Sequence, residues 1–471
     1  MIFSRVAISG EDFDVIVAGG GPAGIGAGIA AARNGMKTLL VESNCCLGGV
    51  STAGALPFYL GAVGGSIPYK KMLEQNIPYS KLNRTKEAVG GIFKEMTERI
   101  KAQGGGVGPC KVAQADRYPA LDRFGCHDEF TFDIEIGKRV LDEMAVESGL
   151  NVLYYSQAVG VEMEKSSVKG VYVSNKSGIT YFPCKVLIDC TGDADMVYDA
   201  GFETYKGDKS TGEMTHAGLV AHIENIDSSK IADYLSNGGD PWFKDICKKA
   251  IAENPDADLP ERLIIFPMTD KGVFMVNGGT SKRGFDGTSG FDRTELTLWG
   301  RKRAKALNDI LFKKYIPGAE NCKIRLTAYY PGIRETRRIV GEKTLTEDLI
   351  LSNEKPNDTI ALAGRHFDLS RTNSGNLKQP FADKSLPFGA AGIPFGALIP
   401  KDSKNILAAG RCIAADGQAL GPVRIMSTCM AVGEAAGTAA YFAVKDHLDF
   451  KRIDVCKLRE RLRNQNAIVD L

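Results

Sequence analysis

The chain has 471 residues, enough for two or three domains with large cores, and its 44% hydrophobic and 25% charged residues give the balance of an ordinary globular protein. A net charge of +2 leaves no global basic field, which argues against nucleic acid as the main partner, and no run of about eighteen apolar residues offers a membrane span. Met1 to Phe13 lacks the apolar core of a secretory signal, and eleven scattered cysteines form no dense framework, so a reducing, cytoplasmic location without domain-scale disulfides is expected.

Phe13 to Ala18 is a short apolar run that predicts a buried parallel strand. It feeds the turn Gly19-x-Gly21-x-x-Gly24. There Gly19 permits the tight turn, Gly21 lets a pyrophosphate approach the backbone, and Gly24 lets the next helix pack closely on the strand. Pro22 suits the helix start, because the donor it lacks has no intrahelical partner there, and the N-terminus with its dipole favours an anion. Lys37 to Val41 predicts the second strand. Glu42, eighteen residues past Gly24, stands where a carboxylate accepts hydrogen bonds from a ribose. The unit predicts a dinucleotide site and by itself leaves FAD and NAD open.

A second small-residue loop, Asn44 to Gly54, is followed by irregular sequence to about residue 90 and by an exposed connection or lid over Gln103 to Phe130. Phe132 to Gly149 carries helical spacing, with Ile136, Val140, Leu141 and Met144 on one face. Asn151 to Tyr155 predicts a strand returning to the sheet, and Ala158 to Glu164, Val168 to Asn175 and Gly178 to Pro183 a three-stranded meander. Lys185 to Cys190 reads as a further buried strand. It ends in Thr191-Gly192-Asp193, at the carboxyl end of a parallel strand, where open α/β sheets bind ligands. From Glu203 to Leu398 the pattern changes to long alternating strands (Thr215 to Ile223, Arg262 to Met268, Gly272 to Asn277) and amphipathic helices (Ser228 to Leu235, Thr294 to Phe312). Asn405 to Ala409 predicts a late strand, followed by Gly410-Arg411 and a helix from Ile425 to Val444.

Four separated pieces, Gly19 to Gly54, Tyr155 to Ala158, Asp189 to Asp193 and Ala409 to Gly437, would have to converge on one ligand, whereas a simple NAD dehydrogenase completes its nucleotide fold in one block. With these pieces the chain resembles the FAD-dependent oxidoreductases of the glutathione-reductase-like superfamily, distantly similar to fumarate reductase flavoproteins, over most of its length. The resemblance rests on the stretches 14–24, Leu47-Gly48-Gly49, 188–193, 332–341, Ile393-Pro-Phe, 407–411 and 424–437. It implies FAD, with Gly19, Gly21, Pro22, Ala23 and Gly24 at the pyrophosphate, Glu42 and Ser43 at the adenosine ribose, and the Ala158 backbone at the adenine. Gly49, Val50 and Ser51 would take the phosphate and ribityl side, Gly192 and Asp193 would close the adenosine end, and Gly410 and Arg411 would meet the ribityl chain. Thr428, Cys429 and Met430 would present N–H groups to the flavin ring, where a helix dipole stabilises negative charge. The fold expected is α/β: a Rossmann-like FAD-binding domain over residues 1–60, 130–202 and 399–471, with a parallel sheet and a three-stranded meander. An insertion or lid over 61–129 and a mixed α+β substrate domain over 203–398 complete it.

Disulfide reductases of that superfamily carry a redox cysteine pair after the Gly-Gly. Here Cys45 and Cys46 precede Gly48-Gly49 and Val50 to Phe58 has none, which disfavours a dithiol mechanism. No second GxGxxG occurs, which weakens the class that takes hydride from NAD(P)H without excluding NAD(P)H bound on another surface, and oxygen, a quinone or a second organic substrate remain open as electron acceptor. Arg334, Arg337 and Arg338 cluster in one motif, and Arg365-His366 follows the strand-like Thr359 to Ala363. A guanidinium forks a carboxylate or polarises a carbonyl, and a histidine is suited to take a hydroxyl proton. The expected reaction is hydride transfer between a small polar metabolite and the flavin, with His366 moving the proton and Arg334 or Arg338 anchoring substrate, although these arginines fit structural ion pairs equally well. His216 and His222, at strand spacing, are read as sharing a core or substrate face, and no metal site is expected. The alternatives are a fumarate-reductase-like double-bond reductase, with arginine donating the proton, and a non-catalytic flavin-binding sensor or assembly protein.

Overall fold

The computed structural model describes residues 7–62, 87–108, 130–208, 212–240, 242–352, 354–364 and 390–470. Much of the insertion expected over 61–129, and Arg365 with His366, lie outside the described residues.

The first sheet is organised around one long strand, Gly178–Asp189. Its second half pairs in parallel with Phe13–Ala18 on one side and Ile406–Ala408 on the other, and Thr38–Val41 and Asn151–Leu153 extend the parallel sheet beyond Phe13–Ala18. Its first half is the last strand of an antiparallel meander with Ser167–Asn175 and Gln157–Glu164. The third meander strand and the following parallel strand, expected as separate elements, are therefore one. Pro183 sits where antiparallel pairing with Ser167–Asn175 ends, and parallel pairing with Phe13–Ala18 starts at Cys184, after a short parallel contact of Thr180 and Tyr181 with Ile8–Ser9. A proline is tolerated at such a changeover because the ladder passes there from one neighbour to another.

Val186, Leu187 and Ile188 are buried, as a parallel sheet covered on both faces requires. The helix Pro22–Arg33 lies on this sheet and packs along the late helix Met426–Lys445. Small residues make that contact possible: a Cβ on Gly433 would fall 1.9 Å from the Ala23 carbonyl oxygen, and one on Gly26 2.2 Å from that of Met430. The two backbones touch, which brings the N-terminal end of the late helix beside the glycine turn.

The second body is a four-stranded antiparallel sheet in the order Ile264–Pro267, Phe274–Gly278, Ala221–Glu224 and Lys323–Thr327. Its core includes Leu219, Ile223, Phe274, Met275, Leu311 and Phe312. The strand expected over Thr215 to Ile223 is broken into Ala217–Gly218 and Ala221–Glu224, because Gly218 leaves the sheet to pair with Ser281 and Gly332. The helix expected to reach Phe312 is α-helical over Gly290–Ala306 and continues as a π-helical turn, Leu307–Phe312.

The hydrophobic cores divide the chain differently from the expected 203–398 domain. Ile339, Leu345, Ile360, Ile393, Phe395 and Leu398 pack into the core of the parallel sheet, so the second core ends at Ala328. A helix not foreseen in the sequence, Gly91–Ala102, also joins the first core through Ile92, Phe93, Met96 and Ile100.

Candidate functional site

The carboxyl ends of the parallel strands converge on one cradle. Gly19 leaves its strand at φ +100°, and a Cβ on Gly24 would lie 1.8 Å from the Gly19 carbonyl oxygen, so turn and helix are in backbone contact. At Gly21, by contrast, nothing lies within 4 Å of where a Cβ would point. Ile25 N–H makes the first helical bond, to the Gly21 carbonyl, and Pro22 has no N–H, which leaves Ala23 and Gly24 with donors that have no intrahelical carbonyl.

Glu42 is buried beside this turn. Its Oε1 accepts from Asn44 N–H (2.7 Å), Asn44 Nδ2 (2.6 Å) and Ser43 Oγ (3.2 Å), and its Oε2 from Gly20 N–H (2.6 Å). Oε2 thus keeps acceptor capacity for one hydroxyl. Tyr155 N–H and Ser156 N–H donate to the carbonyls of Asn44 and Glu42, which holds the approach to Ala158 against the same edge. Gly49, Val50 and Ser51 form a short 3-10 turn. The Ser51 hydroxyl is spent on the Gly48 carbonyl at 2.8 Å and on Tyr59 Oη at 3.0 Å. Cys46 is buried against Thr52 and its thiol is pushed up by burial, so it is a packed thiol and not a thiolate.

The long strand ends in a turn built by a buried carboxylate. Asp189 accepts from Thr191 through Oδ1 and from the N–H groups of Met196 and Val197 through Oδ2, and burial raises it to about 6 against these bonds. Four residues later Asp193 is gripped by Arg411 (2.8 Å) and by Arg293 (2.6 Å), and it accepts from the Thr336 hydroxyl. Burial pushes its carboxyl up, but the two guanidiniums and the hydroxyl outweigh burial and hold it below the usual carboxylate range. Arg411 also donates to Thr336 Oγ1 at 3.1 Å, and Arg337 donates to the Asp193 carbonyl at 3.0 Å. Arg293 and Thr336 were missed in the sequence. Thr336 lies inside the arginine motif, whereas Arg293 sits on a helix with no local signal.

A Cβ on Gly410 would touch that of Ala23 at 3.1 Å, so the late strand's turn meets the first helix. At the late helix the expected donors are corrected. Cys429 N–H is spent on the Ile425 carbonyl, Met430 lies further into the helix, and the N–H groups without an intrahelical acceptor are those of Met426, Ser427 and Thr428. The Thr428 hydroxyl is buried there with no hydrogen-bond partner among the described residues.

The arginine motif is sorted by burial. Arg338 is 1% exposed, paired with Glu335 and bonded to the Gly207 carbonyl, with its guanidinium over the Tyr205 ring, contacts that suit a structural ion pair better than the expected substrate anchor. Arg334 is half-buried and donates to the His216 carbonyl (3.1 Å) and to Asn277 Oδ1 (3.3 Å). His216 and His222 do not share a face of one strand. His222 is buried with Nε2 on the Ala55 carbonyl at 2.8 Å and its imidazole pushed down by burial, while His216 precedes the strand.

The family described as FAD dependent oxidoreductase matches residues 14–462, nearly the whole chain. The chain belongs to that family. This FAD dependent oxidoreductase is 30% identical over 205 residues to a tRNA uridine 5-carboxymethylaminomethyl modification enzyme of Desulfotalea psychrophila, an alignment over 41% of this chain and 29% of that one. It thus spans less than a third of that curated relative. Among solved structures, a geranylgeranyl bacteriochlorophyll reductase-like protein of Thermoplasma acidophilum aligns with 97% of this chain and 84% of its own, at 15% identity and TM-score 0.45. The p-nitrophenol 4-monooxygenase of Pseudomonas putida aligns with 94% and 82%, at 11% identity and TM-score 0.43. The oxidoreductase is an enzyme, and FAD is its cofactor. Its residues fit that group on two observations: the open space before Gly21, bordered by unspent helix N–H groups, and the partnerless buried hydroxyl of Thr428. Among the described residues no helix is long and apolar enough to cross a membrane.

Proposed function

We propose that this oxidoreductase, within the glutathione-reductase-like superfamily, transfers a hydride between a small polar metabolite and FAD. The reading is carried by the convergence of Gly19 to Gly24, Glu42, Gly192-Asp193 and Gly410-Arg411 on one cradle that also receives the N-terminus of the late helix. In this reading Gly21, Ala23 and Gly24 bind the pyrophosphate, with Gly19 and Pro22 shaping the turn. Glu42 takes the ribose with Ser43 beside it, and the Ala158 backbone faces the adenine. Gly49 to Ser51 and Gly410-Arg411 border the ribityl side, and the end of the late helix at Thr428, with Cys429 and Met430 packed behind it, faces the ring. When bound, FAD supplies the two-electron redox chemistry.

The chain's own residues orient and discharge the substrate. Arg334 offers a guanidinium held from behind by the His216 carbonyl and Asn277, which leaves it suited to a carboxylate or a polarised carbonyl. His366, outside the described residues, is assigned on sequence grounds to take the hydroxyl proton. Asp193 keeps Arg411 charged and oriented. The tRNA uridine in the relative's name is not carried over, because the shared stretch is under half of this chain and its net charge is only +2. The test is anaerobic mixing of the FAD-loaded enzyme with small hydroxy acids, alcohols, amines and unsaturated acids, followed by flavin absorbance. Bleaching by a saturated hydroxy or amino compound, lost about a hundredfold in His366→Ala, is the expected outcome. Reoxidation of photoreduced enzyme by unsaturated acids alone would favour a double-bond reductase instead, and an inert flavin throughout a non-catalytic role.

A further inference from the structure

Tyr330 opens the segment that runs into the arginine motif, and nothing assigned so far uses it. Its backbone surroundings are tied on both sides: Ala328 N–H donates to Val220, Tyr329 N–H to Ala53 and Gly332 N–H to Gly218, all through carbonyls. The side chain is thereby aimed from the second body at the glycine turn of the first. A Cβ placed on Gly49 would lie 3.0 Å from Gly21 Cα and 3.5 Å from Tyr330 Oη, so the phenol stands beside the turn whose open space takes the pyrophosphate. The ring is half-buried, and no hydrogen bond of its hydroxyl occurs among the described residues. A tyrosine in such a place usually satisfies its hydroxyl. Burial, and secondarily the Glu42 charge, push the phenol above its ordinary value, so it is a neutral donor beside a site for an anion.

We propose that Tyr330 is a cofactor-binding residue whose hydroxyl donates a hydrogen bond to the pyrophosphate, so that the second body contributes directly to the nucleotide site. The proposal rests on the FAD reading and adds to it a ligand from outside the glycine motifs. It also implies that the nucleotide bridges the two bodies at a point other than the Asp193 cluster.

The experiment uses cofactor-stripped full-length protein, titrated with FAD by flavin fluorescence and with ADP by calorimetry, for wild type and Tyr330→Phe. FAD and ADP share the diphosphate, so both should bind about tenfold or more weakly to the variant, the usual loss for a hydrogen bond to a charged group. The melting temperature of the stripped variant should match wild type, since phenylalanine keeps the packing. Unchanged affinity for both ligands, or a loss for FAD without one for ADP, would overturn the proposal. Wild-type protein that binds neither would overturn the FAD reading itself.

Discussion

In the parallel sheet Gly19, Glu42, Asp193 and Arg411 all follow strand ends, so the sheet's topology brings them to one cradle. In the second body the equivalent sorting is done by side-chain contacts. Arg334, Arg337 and Arg338 occupy a single short motif, yet one is half-buried and bonded to the His216 carbonyl and Asn277, one braces Asp193 and Asp195, and one is sealed in the interior with Glu335. The difference teaches that a motif placed by topology keeps its role when its neighbours change. Roles distributed by burial depend on distant partners.

The comparison is tested most severely at the arginines. Arg338→Met removes the guanidinium from buried Glu335, which keeps the Thr215 N–H bond, and should cost about 3–5 kcal/mol in urea denaturation. Arg334→Met, at a half-buried site where the guanidinium bonds include the His216 carbonyl and Asn277 Oδ1, should cost less than about 1.5 kcal/mol. Equal losses would mean that both arginines are structural and would remove Arg334 from the substrate site. Next in size is Gly24→Ala, whose methyl would collide with the Gly19 carbonyl. It should cost about 1–3 kcal/mol by overpacking and purify with less bound flavin, measured by absorbance. A variant that retained full flavin and stability would show that turn and helix are not locked together.

A dependence on pH separates two buried carboxylates. Glu434, on the late helix, accepts from Ile92 N–H at the start of Gly91–Ala102, and burial raises its carboxyl to about 8 from 4.5 despite that bond and the Arg33 charge. The folded state holds this proton where the unfolded chain has released it. Stability from Glu434 is therefore complete below about 4.5 and is lost as pH rises through about 8. Asp193 has the opposite sign, because its folded value is depressed: its contribution is present above the ordinary carboxylate value and is lost as pH falls. Urea midpoints across that pH range should decline toward alkaline pH in wild type and flatten in Glu434→Gln. An unchanged slope would assign the alkaline loss to another group.

The parts of the fold that could be read in advance were those whose signals are local. The apolar run before Gly19, the glycine spacing and the acid at Glu42 lie within a single βαβ unit, and the late strand and helix announce themselves by composition. The helix Gly91–Ala102 escaped notice although Ile92, Met96 and Ile100 keep helical spacing, because it begins at Gly90-Gly91 and its start is bonded by Glu434, 342 residues away in the chain. Arg338 was indistinguishable from Arg334 for the same reason: what buries it are Gly207 and Tyr205, brought alongside by a two-stranded pairing far upstream. Which core receives Ile339, Leu345, Ile360, Ile393 and Leu398 could not be read from their alternation, because only packing assigns them to the core of the parallel sheet.

One feature of the first sheet limits how this chain can vary in length. Gly178–Asp189 pairs antiparallel with Ser167–Asn175 along its first half and parallel with Phe13–Ala18 and Ile406–Ala408 along its second, within one eight-stranded sheet, and side chains along a strand alternate between faces. A residue inserted beside Pro183 would leave the meander in place and turn Val186 and Ile188 onto the opposite face, carrying the Asp189 turn with them. Natural or engineered insertions therefore belong in the connections around this strand, while the strand itself admits substitution but not a change of count.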